Sequence, residues 1–206
     1  LMQDHLADMR RAENRTMPQV IFFGEEKAGF ASQPDFCCRN LIFQNGMPVF
    51  DVWFRDQFYA RIRLNIPGRH NMYDALAAIA CAHFNGASPE AAEMVLNSFH
   101  GAEGRFTDVG TYHGARVIAD YAHHPAAARA TLAAAANIPH RHTWVVFQPL
   151  TFSRTKVLFQ DFVDALKDCD LVIFSEIYSD REVNPGDISS RDIADRICLL
   201  GGRAIF

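Results

Sequence analysis

Residues 116–125, Arg116-Val117-Ile118-Ala119-Asp120-Tyr121-Ala122-His123-His124-Pro125, decide how the second half of this chain is read. An apolar run ends on an acid, a polar turn follows, and Pro125 opens an alanine-rich stretch to Ala136. Proline suits the first position of a helix, where its missing N–H leaves no bond unmade. The unit reads as strand (Arg116 to Asp120), loop, helix (Pro125 to Ala136). It recurs downstream. Thr143 to Phe147 precedes a helical stretch from Phe152 to Lys167, Leu171 to Phe174 precedes one from Ser190 to Leu199, and Arg203 to Phe206 begins a further strand. Such alternation predicts an α/β fold with a parallel sheet and helices on its faces.

In a doubly wound sheet, ligands bind beyond the carboxyl ends of the strands. Three polar segments sit at that edge: residues 120–125, 147–155 and 175–182. Each also has a plain structural reading. Asp120 could cap the helix opened by Pro125, and Arg154 could bridge to Glu176. His123 and His124 could hold a metal, but adjacent histidines point apart, which favours loop anchoring or a substrate role. Three charged loops on one edge together favour a functional rim.

Working towards the N-terminus, the pattern turns all-β. Arg39 to Gln44, Met47 to Phe54 and Gln57 to Ile66 are short β-branched and aromatic runs, with Asn45-Gly46 as a strong hairpin turn and Arg55-Asp56 as the next. Pro67-Gly68 punctuates, and His70 to Phe84 reads as a helix burying Met72, Leu76, Ile79 and Ala80. Asn85-Gly86 stops it. Ser88 then caps a second helix, with Pro89 at its first position, running to about Phe99. Gly101 to Gly104 reads as a loop at a domain boundary. Earlier still, Leu1 to Arg11 reads as helix and Val20 to Phe23 as a strand ending at Gly24. A helix-then-strand start and an end in mid-strand lead us to expect a fragment.

Composition narrows the class. The 206 residues carry 20 Lys+Arg against 24 Asp+Glu, a net charge of -4, which argues against nucleic acid or an anionic membrane as partner. With 49% hydrophobic and 12% aromatic residues, the core is ample and disorder is excluded. No apolar run is long enough to span a membrane, and the charged start lacks the pattern of a secretory signal. Five scattered cysteines, an odd number, fit reduced thiols in a cytoplasmic protein better than disulfides or zinc.

Four ordered segments resemble the Mur ligases, the ATP-dependent amino-acid ligases of peptidoglycan synthesis. Residues 64–78, with Gly68-Arg69-His70-Asn71 and Asp74-Ala75, are similar to the family's G-x-H-N-x-x-N-A-x-A-A. Residues 118–125 resemble the D-D-Y-x-H-H-P of the branch that joins L-alanine to UDP-N-acetylmuramate. Phe147-Gln148-Pro149 through Ser153-Arg154-Thr155 resembles its F-Q-P-H-x-[YF]-[ST]-R-T. Glu176-Ile177-Tyr178 through Arg181-Glu182, then Gly186 and Ser189-Ser190, resembles its E-I-Y-x-x-R-E-x-x-x-G-x-S-S.

The resemblance implies that residues 1–105 are the trailing part of a central ATPase domain and 106–206 most of a Rossmann-like C-terminal domain. It implies ATP and magnesium as cofactors, and UDP-N-acetylmuramate and L-alanine as substrates. ATP would phosphorylate the sugar's carboxylate, and the amine would then attack the acyl phosphate. His70, Asn71 and Asp74 would line the adenine pocket. Arg105 would reach the phosphates, and Asp120 would accept from the ribose hydroxyls. Arg154 would hold the amino acid's carboxylate, flanked by Tyr121 and His123. The phosphate loop G-x-x-G-K-[ST] does not occur in these residues. Its lysine and the magnesium-binding glutamate are therefore missing, so the chain alone is expected to be inactive.

The chain departs from the family pattern at Asp74 for Asn, Gly104 for Arg, Ala119 for Asp, Leu150 for His, and Asp187 for a second Gly. Two rival readings stay open. One is a ligase that reattaches recycled tripeptide to the same sugar nucleotide, though its third segment differs. The other is a non-catalytic nucleotide-binding or interaction module without the phosphate loop.

Overall fold

A computed structural model describes residues 20–27 and 33–206. The expected helix at Leu1 to Arg11 lies outside the described residues. Two separate hydrophobic cores organise the rest, one before residue 100 and one after residue 125.

The first core lies under a four-stranded sheet ordered β1-β2-β3-β4, made of Phe23–Glu25, Phe36–Gln44, Met47–Phe54 and Gln57–Arg63. Strand β1 runs parallel to β2, and the other pairs are antiparallel. The Asn45-Gly46 turn has positive φ at both residues, 52° and 83°, the twist that closes a two-residue hairpin. Helix α1, Arg69–Phe84, packs across β1, β2 and β3 and buries Met72, Ala75, Leu76, Ile79 and Ala80. Those positions recur at helical spacing and form one face. At its start, Glu25 at the end of β1 accepts a hydrogen bond from the Tyr73 hydroxyl and pairs with Arg69 at 3.4 Å, tying strand to helix. Helix α2, Pro89–Ser98, has Ser88 as its cap, whose hydroxyl accepts from Ala91 N.

The second core is covered by α3, Pro125–Ala136, α5, Phe159–Leu166, and α6, Ser190–Leu199. They pack on one face of a parallel sheet ordered β7-β8-β9, built from Trp144–Phe147, Leu171–Phe174 and Ala204–Ile205. Right-handed crossovers that advance in one direction put their helices on one side. The opposite face therefore shows Trp144, Val146 and Ile205 to solvent. A reciprocal capping box, Ser189 with Asp192, starts α6.

The structure corrects three sequence expectations. The run from Arg116 is not a strand of the parallel sheet. As β6, Ala115–Ala119, it pairs antiparallel with β5, Thr107–Tyr112, in a sheet of two. The turn between them uses His113 and Gly114, both at positive φ, a hairpin signal the sequence reading passed over. The helix expected from Phe152 to Lys167 is broken at Leu158 into α4, Phe152–Val157, and α5. The first strand begins at Phe23 rather than ending there.

The fully buried Leu76 lies in the first core. Leu76→Ala is expected to destabilise the protein by about 2–5 kcal/mol, whereas Val183→Ala at an exposed position stays within about 0.5 kcal/mol; chemical denaturation separates them. Burial pushes the Cys38 thiol up to about 12 and the Cys169 thiol up to about 11. Only the thiolate reacts, so at pH 8 a thiol reagent should label exposed Cys81 and Cys198 quickly. Cys37, Cys38 and Cys169 should react only on unfolding, which peptide mapping will show.

Candidate functional site

A cavity of about 620 Å³ opens between the two cores. Its apolar wall includes Leu64, Ile66, Val95 and Phe99 from the first half and Phe106, Ala127 and Ala130 from the second. Polar groups reach it from both sides. Helix α1 contributes His70, Asn71 and Asp74; Asp74 shares their face because it lies four residues after His70 and three after Asn71. The loop before β5 contributes Arg105, and the end of β6 contributes Asp120.

Each polar group has a defined tether. The Asn71 amide donates to the Pro67 carbonyl at 2.7 Å, leaving its own oxygen to accept. Asp120 Oδ2 accepts from Phe106 N at 3.3 Å and from the Thr131 hydroxyl at 2.8 Å. Oδ1 receives no hydrogen bond among the described residues. Tyr121 N donates to the Gly104 carbonyl at 2.8 Å, and the Arg105 guanidinium lies 5.5 Å from the Tyr121 ring centroid. Stacking on an aromatic face is a favourable place for an arginine. The junction loop also needs glycine at Gly101, whose φ is 93° and where a Cβ would meet Ile66 at 2.8 Å.

The remaining sequence candidates sit outside the cavity. The ring of His123 lies 4.8 Å from that of Tyr121, and its Nδ1 is 2.9 Å from the Tyr121 carbonyl. Nδ1 of His124 accepts from Ala126 N and caps α3, so this histidine, not Asp120, opens the helix. Arg154 is half-buried on α4 and makes no ion pair among the described residues. The bridge to Glu176 is not formed. Glu182 is held by Ser153, whose hydroxyl and backbone N–H both donate to its carboxylate. Those two bonds, the hydroxyl's first, hold Glu182 below the usual carboxylate range.

Sequence reasoning missed the site's packing residues. Thr131, on α3, fixes Asp120 through its hydroxyl, and Phe106 donates its backbone N–H. The signal was present in Ala127, Ala130 and Thr131, small residues on one face of α3 where another element comes close. Glu182 and Ser153 stand out in the sequence only as members of motifs.

An apolar cleft walled by two α/β units, with polar side chains converging from both, has the character of a small-molecule site at a junction. Residues 104–205 match the Mur ligase family's glutamate ligase domain. The UDP-N-acetylmuramate–L-alanine ligase of Caldanaerobacter subterraneus is 37% identical over 179 residues, 86% of this chain and 39% of that protein. That of Alkaliphilus metalliredigens is 42% identical over 170 residues, 82% of this chain and 37% of that protein. The crystal structure of the UDP-N-acetylmuramate-alanine ligase of Thermotoga maritima has a TM-score of 0.71 at 26% identity, covering 90% of this chain and 39% of that one. The chain belongs to the Mur ligase family. It spans about two fifths of the length of the curated relatives it matches.

Gly68, two residues before His70, has φ 102° and ψ 142°, a conformation open to glycine alone. A Cβ there would lie 2.6 Å from the His70 ring. Gly68→Ala is expected to cost about 1–3 kcal/mol and to displace the His70 ring. Denaturation and the His70 ring proton shifts test the two effects separately.

Proposed function

We propose that this chain forms one wall of the ATP cleft, and the amino-acid site, of a cytoplasmic ligase that joins L-alanine to the carboxylate of UDP-N-acetylmuramate. Residues 1–105 are the trailing part of its central ATPase domain, and residues 106–206 are most of its C-terminal domain. The observation that carries this reading is the convergence of His70, Asn71 and Asp74 with Arg105 and Asp120 on one cavity. Its volume is in the range of small-molecule sites, roughly 300–1,000 Å³.

The cavity suits a nucleotide. Apolar walls accept a planar base, and the polar face of α1 reads its edge. Asp120, already fixed through Oδ2, keeps Oδ1 to accept from a sugar diol. Arg105 stands at the junction, where it can neutralise phosphate charge. Bound ATP supplies the phosphoryl group that activates the acid. This chain's residues orient the reactants and offset charge, which is most of what such a reaction asks of a protein. Arg154, with its guanidinium unpaired by the described residues, can meet a carboxylate with two parallel hydrogen bonds.

Magnesium would be held largely by the phosphates of ATP and by one or two carboxylates, as is usual at nucleotide sites. Among the described residues no three His, Cys, Asp or Glu side chains cluster into a cation site of their own. The phosphate-loop motif with its lysine does not occur within the 206 residues. The chain alone therefore binds nucleotide weakly and does not turn over.

The test is alanine-dependent phosphate release from ATP and UDP-N-acetylmuramate by the full-length protein. No alanine-dependent release would sink the reading. Loss of a charge-assisted bond predicts that Arg154→Ala raises the KM for alanine about 10-fold or more while that for ATP holds. Asp120→Ala should do the reverse.

A further inference from the structure

We infer that Glu182 is the positioning residue of Arg154, acting from the loop after β8 on an amino-acid site it does not touch. The inference rests on the proposed role of Arg154 as the group that meets the amino acid's carboxylate.

Helix α4 begins without a cap of its own. Thr151 precedes it at a φ of 64°, and its side chain makes no capping bond. The first N–H groups of a helix have no intrahelical partner and must find one elsewhere. For Ser153 that partner is Glu182, 29 residues further along the chain. The carboxylate accepts from Ser153 N at 3.0 Å and from the Ser153 hydroxyl. Glu182 is itself aimed by Ser179, whose hydroxyl accepts from the backbone N–H of Glu182 at 3.0 Å.

The same two segments are joined on either side of this contact. Thr151 N donates to the Tyr178 carbonyl at 2.9 Å, and Tyr178 N donates to the Pro149 carbonyl at 3.0 Å. On the far side, Lys156 pairs with Asp187. Arg154 thus stands between two tethered residues, Ser153 and Lys156; its guanidinium makes no ion pair among the described residues, although its charge acts on Glu182 from a distance. A planar fork binds a carboxylate with two bonds only at one orientation. Misplacing a binding group by about 1 Å can cost up to 100-fold in rate. Glu182 holds the backbone next to Arg154, so it sets where that fork stands.

The experiment compares Arg154→Ala, Glu182→Ala and Glu182→Gln in the full-length ligase. Glu182→Ala is expected to raise the KM for alanine about 10-fold, with the KM for ATP and the unfolding midpoint little changed. Glu182→Gln should recover most of the loss, because its amide still accepts from Ser153 N and donates to the hydroxyl. If Arg154→Ala raises the alanine KM and Glu182→Ala does not, the positioning role is overturned and the carboxylate reading stands. If Arg154→Ala leaves the alanine KM alone, both fall. If Glu182→Ala raises both KM values together, or glutamine rescues nothing, Glu182 is a general structural residue and the inference is overturned. Should Glu182→Ala not fold, Ser153→Ala removes the hydroxyl alone and must still shift the alanine KM, by a smaller factor.

Discussion

The architecture turns on the close approach of two glycine turns to the end of one helix. Gly46, at the tip of the β2–β3 hairpin, leaves room for Ile138 where a Cβ would stand 2.7 Å from its Cγ1. Gly68, just before α1, faces Ala134 in the same way, with a would-be Cβ contact of 3.1 Å. The two turns are linked by Gly68 N donating to the Gly46 carbonyl at 3.4 Å. Backbone can approach a helix this closely only where side chains are absent or small. The contact joins the start of α1 to the end of α3, the two helices whose His70, Asn71, Ala130 and Thr131 line the cavity.

Around that pivot, the polar groups of the cavity and of the rim are held by a second layer of hydrogen bonds. Asp120 is steadied by Thr131 and Phe106, Asn71 by Pro67, and Ser153 by Glu182. For Asp120 and Asn71 one bonding position is used to fix the group and another remains, while Ser153 gives both its donors to Glu182. A side chain fixed this way loses little freedom when a ligand arrives, so more of the contact energy appears as affinity. Arg105 stacks on Tyr121 and pairs with no acid among the described residues, which keeps its charge available.

Much of this could be read from the sequence where a local rule acts on neighbouring residues. Asn45-Gly46, Ser88-Pro89 and Pro125 sit where the structure has a hairpin turn, a capped helix start and a helix start. The apolar face of α1 follows from a period of 3.6 residues. The reading failed where one local signal was passed over and a distant partner decided. His113-Gly114 turns the chain back, so the run from Arg116 pairs with Thr107–Tyr112 and not with the parallel sheet. Leu158 breaks a helix whose hydrophobic pattern continues through it, because Phe162, Val163 and Leu166 are drawn into the second core.

The sequence by itself determined the α/β class, most element positions and the family, because hydrophobic periodicity, turn chemistry and motif spacing are all local properties of the chain. It also named the five polar residues that meet at the cavity, through resemblance and not through geometry. Only the tertiary structure decided that they meet, that Thr131 holds Asp120, and that Glu182 holds Ser153 across 29 residues. Those contacts join side chains brought together by packing, and no spacing along the chain encodes a distance that the packing of two cores creates.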